Sequence, residues 1–130
     1  MRLLLDTQTW FWWMMASPRL SVPARAAIAD ARNDPLISAA SVLELLFKRQ
    51  SGLLPDMQRL ADHVENEIDE AGFGRLAITT RHASRAQSFA EAHGDPFDRI
   101  LVAQALLEDV VVVSNETFFD AFGVRRLWDR

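Results

Sequence analysis

The sequence has no cysteine. A disulfide framework, a thiolate zinc site and a cysteine nucleophile are thereby excluded, and a reducing cytosol suits the chain. Positive charge is not in surplus either: 14 basic against 18 acidic side chains leave a net charge of −4. A plain electrostatic nucleic-acid binder is usually basic, so any such role must rest on a local site. No apolar run approaches the roughly 20 residues of a membrane span. The opening MRLLLDTQTWFWWMMASP mimics a secretory leader, but Asp6 interrupts it. A carboxylate there costs about 2.5–3.5 kcal/mol on insertion scales, so the segment is read as folded protein. Repeats, low-complexity tracts and linkers are missing too. What is there is 130 residues, 49% hydrophobic and 25% charged. That predicts one cytoplasmic globular domain, residues 1–130, with a single core.

The pattern along the chain alternates strands with helices. Short apolar runs at 2–5 (RLLL), 35–38 (PLIS), 75–79 (RLAIT) and 110–114 (VVVVS) read as strands, with 124–128 as an edge strand. Helical patterns fall at 9–16, 21–34, 39–52, 56–71, 81–94 and 96–109, and ETFFDAF (116–122) is a short helix or turn. Ser21 and Pro23 mark one helix start, and Gly52 and Gly94 mark helix ends. The valine run is β-branched and apolar throughout, the mark of a strand buried on both faces of a parallel sheet. The class is α/β with a parallel sheet.

Ligands of open parallel sheets bind outside the carboxyl ends of the strands. Asp6 directly follows the first strand. Glu116 follows the valine strand. Asp95 and Asp98 flank the start of the helix that feeds that strand, and Glu44 lies early in the helix after the second. These carboxylates can converge on one crevice. Two like charges 4 Å apart repel by about 4 kcal/mol at an effective dielectric of 20, so convergence calls for a counter-ion. Oxygen ligands suit Mg²⁺ or Mn²⁺. Such ions activate water and clamp a phosphoryl group without a protein nucleophile.

Each acid also has a plainer reading. Asp95-Pro96-Phe97-Asp98 is a good helix start, with Asp95 as N-cap, Pro96 at N1 and Asp98 favoured by the dipole. Taken alone, that is the simpler account. Glu44 and Lys48 are four apart and form a surface pair on the same logic. Asp6 can cap the helix that follows it, and Glu116 can serve a first-turn dipole. The histidines, His63, His82 and His93, are read as surface groups or as supports behind a ligand. His82 and His93 sit near opposite ends of one predicted helix, too far apart for a metal-free acid–base pair. Arg99 is either a phosphate contact or a solvated arginine. The run WFWWMM carries more apolar bulk than one face of a short helix can bury. Trp10, Trp13 and Met14 share a face while Phe11 and Met15 turn elsewhere, which suggests a partner surface or else a thick core.

Four blocks, LLLDTQTWFWW, ISAASVLELLFKRQSGLL, HGDPFDRILVAQA and VVVVSNETFFDAFGV, resemble in order and spacing the PIN-domain ribonucleases, specifically VapC-type toxins of toxin–antitoxin pairs. The resemblance implies a three-layer α/β/α sandwich around a central, mainly parallel sheet. It implies RNA cleavage with Mg²⁺ or Mn²⁺, a VapB-type antitoxin partner seated on the aromatic face, and a homodimer. Asp6 matches the acid after the first strand. Glu44 matches the helix acid in the pattern made by Ser41, Glu44 and Lys48. Asp98 matches the acid opening the RILVAQA helix, with Asp95 beside it. Glu116 stands where an aspartate is usual, two residues after Ser114. Thr7, Arg99 and Ser114 are candidates for supporting or phosphate contacts. Gln8 departs from the histidine common after the DT pair, and Glu116 is one methylene longer than aspartate.

The competing reading is a Mg²⁺-binding signalling or interaction domain without nuclease activity. A receiver-like pocket wants paired acids after the first strand and a phosphoacceptor aspartate ending a central one. DTQT supplies one acid and PLIS ends in none. The same stretch lacks the second aspartate of a haloacid-dehalogenase-type phosphatase.

Overall fold

A computed structural model describes residues 1–49, 52 and 55–129. Gln50 and Ser51, within the expected 39–52 helix, and Arg130, at the end of the expected domain, lie outside the described residues.

β1 (Arg2–Leu5) is the centre of the molecule because all three of its leucines are buried. On one side it pairs in parallel with β2 (Asp34–Ser38), which pairs with β3 (Gly74–Leu76). On the other side it pairs in parallel with β4 (Val111–Val113), which pairs with β5 (Arg126–Leu127). The order is β3-β2-β1-β4-β5, and every pairing is parallel. β4 is buried at each residue, as its valines predict. The edge strands are short and only partly buried.

Helices cover both faces. α1 (Thr7–Met14), α2 (Val22–Ala29), α4 (Pro55–Asp62) and α5 (Val64–Ala71) bury Trp10, Ala24, Leu60 and Ile68 against Leu3, Leu5, Ile37 and Val113. α7 (Pro96–Glu108) packs Leu101, Val102 and Ala105 on Leu4 and Val112 on the opposite face, with α6 (Thr80–Gln87) against α7. α3 (Ala39–Arg49) leaves the end of β2 and contributes Ala40 to one face and Leu45 to the other. This is the expected three-layer sandwich. No helix among the described residues is long and apolar enough to cross a membrane.

Several boundaries move, each for a local reason. α1 begins at Thr7 rather than residue 9 because Asp6 caps it directly. The expected 21–34 helix stops at Ala29, and the chain turns through 30–33 to enter β2 at Asp34. The 56–71 stretch is two helices, broken at His63, whose φ of −132° and ψ of 35° are not helical. α5 ends at Gly72, whose φ of +73° favours glycine. β3 is shorter than 75–79. α6 stops at Gln87, short of 94, where the Ser88 hydroxyl donates to the Arg85 carbonyl at 2.6 Å and competes with helix continuation. The ETFFDAF stretch contains a 3₁₀ helix, Thr117–Phe122.

His82 corrects the view of the histidines as surface or supporting groups. It is 2% exposed. Its Nδ1 accepts from Thr79 N at 2.9 Å, which places the proton on Nε2, facing Glu108 Oε1 at 3.4 Å. It is a capping and packing residue of α6.

Ser41, in the interior of α3, has a buried hydroxyl with no hydrogen-bond partner. Ser41→Ala removes a desolvated polar group and improves helix propensity. Denaturant unfolding of this variant is expected to show stability unchanged or raised by up to about 1 kcal/mol.

Candidate active site

The strand order turns back at β1 and β4, so the crevice at their carboxyl ends is where a ligand belongs. Asp6 enters it from the end of β1. Its Oδ1 accepts from Thr9 N at 2.8 Å, so it does cap α1, while its Oδ2 accepts from the Ser114 hydroxyl. Burial raises its pKa, against the lowering effect of the Ser114 and Thr9 hydrogen bonds; the nearby Glu116 charge adds to the rise. Ser114 serves two acids, because its hydroxyl also accepts from Glu116 N at 2.9 Å. Glu116 occupies the N-cap position of the 3₁₀ helix without a capping hydrogen bond from its side chain. Its carboxylate is not used as a cap.

Glu44 faces the same space from α3. Thr7 Oγ1 donates to its Oε1 at 2.5 Å, and Lys48 Nζ lies 3.4 Å from its Oε2. The pair with Lys48 therefore exists, but the Glu44 side chain is only 10% exposed. Asp95 caps α7 through one oxygen, with Oδ1 accepting from Phe97 N at 2.8 Å and Asp98 N at 3.1 Å. Asp98 stands in the first turn, its Oδ2 2.9 Å from His93 Nε2. Burial pushes the Asp98 pKa up to about 6; the His93 hydrogen bond lowers it, and the Asp95 and Glu44 charges raise it further.

All five acids line one cavity of about 290 Å³, together with Thr7, Gln8, Lys48, His93 and Phe118. Among the described residues, carboxylate oxygens of Glu44, Asp95 and Asp98 lie within 4.8 Å of one another. Asp95 thus joins this tight group, and Asp6 lies outside it, in the field of the Glu116 charge. The donors are all hard oxygens, and a buried acid among like charges is short of positive charge. That set fits a hard divalent cation.

Arg99 turns its guanidinium onto the chain itself: Nη1 donates to the carbonyls of His93 at 3.0 Å and Gly94 at 3.2 Å. Gln104 is not among the motif residues of the sequence. It is fully buried, and its Oε1 accepts from Ser38 Oγ at 2.6 Å. Ser38 in turn accepts from Ala40 N at 3.0 Å, so α7 is tied to the start of α3. The available signal was one amide in an otherwise apolar stretch of helix.

On α1, Trp10 is buried, whereas Trp12, Trp13 and Met14 are only partly covered. Trp12 meets Trp128 at 5.8 Å between centroids, and Trp13 meets Phe73 at 6.0 Å.

Comparison with known proteins bears on this arrangement. The PIN domain family profile matches residues 3–124. Ribonuclease VapC22 of Mycobacterium tuberculosis is 30% identical over 111 residues, spanning 79% of this chain and 78% of that protein. VapBC-1 from nontypeable Haemophilus influenzae shares the fold at a TM-score of 0.69 and 12% identity, over 98% of this chain and 97% of that one. FitAcB from Neisseria gonorrhoeae gives 0.66 at 23% identity, over 96% of each chain. At such identities the two structures speak for fold alone. The family match runs from β1 past the 3₁₀ helix and takes in every acid of the cavity, and with the VapC22 likeness it shows that the chain belongs to the PIN-domain family, as a member of the VapC type.

Proposed function

We propose that the protein is a divalent-metal-dependent endoribonuclease, the toxin of a VapBC-type toxin–antitoxin pair. The observation that carries this is the convergence of carboxylates from separate parts of the chain on one cavity, three of them with oxygens within 4.8 Å of one another. The VapC22 likeness supports RNA as the substrate.

In this reading Glu44, Asp95 and Asp98 hold Mg²⁺ or Mn²⁺, with Asp6 and Glu116 on the β1–β4 side of the cavity. The bound cation supplies the acidity that activates water and the positive charge that neutralises phosphoryl oxygens. The remaining work falls to the chain. Thr7 fixes the Glu44 carboxylate through its hydroxyl. Ser114 holds Asp6 and the backbone of Glu116 together, so the two acids at the β1 and β4 ends keep their spacing. Lys48, exposed at the rim, offers a cation to an approaching phosphate. With its guanidinium on backbone carbonyls, Arg99 serves the loop that leads into α7. The antitoxin is assigned to the partly covered aromatic face of α1, and a homodimer follows the VapC likeness. The antitoxin partner is consistent with neighbours whose structures are VapBC and FitAB assemblies.

Purified, partner-free protein is expected to cut RNA with Mg²⁺ or Mn²⁺ and to stop in excess EDTA, with activity restored by adding the cation back. Gel analysis of RNA fragments reads this directly. Cleavage that persists in EDTA overturns the mechanism.

A further inference from the structure

We propose that His93 is a positioning residue of the acid cavity, a brace that fixes the Asp98 carboxylate relative to the segment carrying Glu116. The proposal rests on the nuclease reading above and assigns a role to a side chain outside the acid set.

His93 lies in the turn between α6 and α7 and is held from several sides. Its Nε2 is 2.9 Å from Asp98 Oδ2. Its ring stacks on Phe118 with centroids 4.2 Å apart and planes at 18°, and Phe122 meets it edge-on at 6.5 Å. Its N–H donates to Phe89 O at 3.1 Å, and its carbonyl accepts from Arg99 Nη1 at 3.0 Å. Phe118 stands two residues beyond Glu116 in the chain. One imidazole therefore touches the α7 acid with an edge nitrogen and the β4 side of the cavity with a ring face.

The need for such a brace follows from charge. Asp98 shares the cavity with Asp95 and Glu44, whose negative charges favour a rotamer turned toward solvent. A hydrogen bond on Oδ2 opposes that rotation and leaves Oδ1 for a cation. Groups that orient a metal-binding carboxylate in this way are worth about 10–100-fold in metal affinity. The Phe118 stack stops the imidazole itself from swinging away, so the bond and the stack act as one unit and their effects are not additive.

The test is Mn²⁺ affinity by titration calorimetry, with melting temperature in EDTA and the separate KM and kcat for RNA cleavage as companions. His93→Phe keeps an aromatic ring on Phe118 and loses the nitrogen. It is expected to weaken Mn²⁺ binding about 10–100-fold, with melting in EDTA little changed and kcat reduced more than KM is raised. His93→Gln restores a side-chain donor and recovers part of the affinity. Phe118→Leu keeps bulk, loosens the stack and also weakens Mn²⁺ binding, and it carries the test if His93→Phe does not fold. The double variant loses less than the product of the two single effects. His93→Phe or Phe118→Leu binding Mn²⁺ as tightly as wild type overturns the proposal. So does a His93→Gln variant no better than His93→Phe. Wild type and Glu44→Gln are measured alongside. Wild-type protein that binds no Mn²⁺ refutes the nuclease reading itself, whereas normal wild-type binding with unaffected His93 variants refutes only the brace.

Discussion

Asp98→Asn is expected to abolish RNA cleavage and Mn²⁺ binding while melting, in EDTA, no lower than wild type. The two halves of that result have different origins. Groups that merely orient a metal-binding residue are worth about 10–100-fold, so removing a ligand itself should cost at least about 100-fold in cleavage. The fold, by contrast, does not need the charge. The cap of α7 is Asp95, whose Oδ1 takes the backbone N–H groups of Phe97 and Asp98, and these survive the substitution. The wild-type carboxylate is a burden in the metal-free protein, because burial and the neighbouring acids have raised its pKa to about 6. Ionising it at neutral pH costs on the order of 1 kcal/mol once solvent screening is allowed for, and the asparagine avoids that cost. Loss of the charge-assisted bond to His93 offsets part of the gain. Cleavage assays and thermal melts on the same preparation decide the matter. Unfolding of the variant would restore the view of this acid as a structural helix-start residue. A folded variant that still cuts RNA would remove Asp98 from the chemistry.

The metal-dependent gain in melting temperature is expected to shrink steadily as pH falls below about 6. Asp98 holds its proton more tightly when folded, with a pKa of about 6 against an ordinary 3.8. The folded state therefore binds more protons than the unfolded one between about pH 4 and 6. In EDTA this group's contribution is fully present below about pH 4 and is lost as pH rises through about 6. Asp6, also raised, acts in the same direction. Asp30 and Asp120 are held low by Arg32 and Arg126 and act oppositely. The difference between wild type and Asp98→Asn isolates the Asp98 share. With Mn²⁺ present the sign reverses, because the cation needs the ionised carboxylate and competes with the proton. Affinity should fall by up to about tenfold per pH unit below about 6. Melting profiles with Mn²⁺ and with EDTA should converge in acid. An undiminished Mn²⁺ effect at about pH 5 would exclude Asp98 as a ligand.

The central sheet was legible in the sequence because its strands are short apolar runs with nothing else to be. RLLL and VVVV are buried on both faces, and no helical period fits them. Helix starts were legible where a cap and a proline coincide, at Ser21–Pro23 and Asp95–Pro96. Helix ends and breaks were not. The break at His63 interrupts a smooth pattern with no glycine or proline. The stop of α6 depends on one serine hydroxyl bonding back to a carbonyl. The acids could be collected because each follows or precedes a recognisable element. Their grouping could not be read, since the closeness of Asp95 to Glu44 depends on how α3 and α7 pack. The same holds for His82 and Arg99. Both carry polar side chains that look solvated in a linear string, yet packing buries the first, and the second folds onto carbonyls five and six residues back in the chain.

The bond between Asp6 and Ser114 joins residues 108 apart in the chain. Contacts at such separation form late, after slow loop closure. Ser114 must therefore be made, and β4 laid beside β1, before the two ends of this contact can meet. Until then the Asp6 carboxylate lacks this donor, so the β1–β4 edge of the cavity is among the last parts of the fold to be completed.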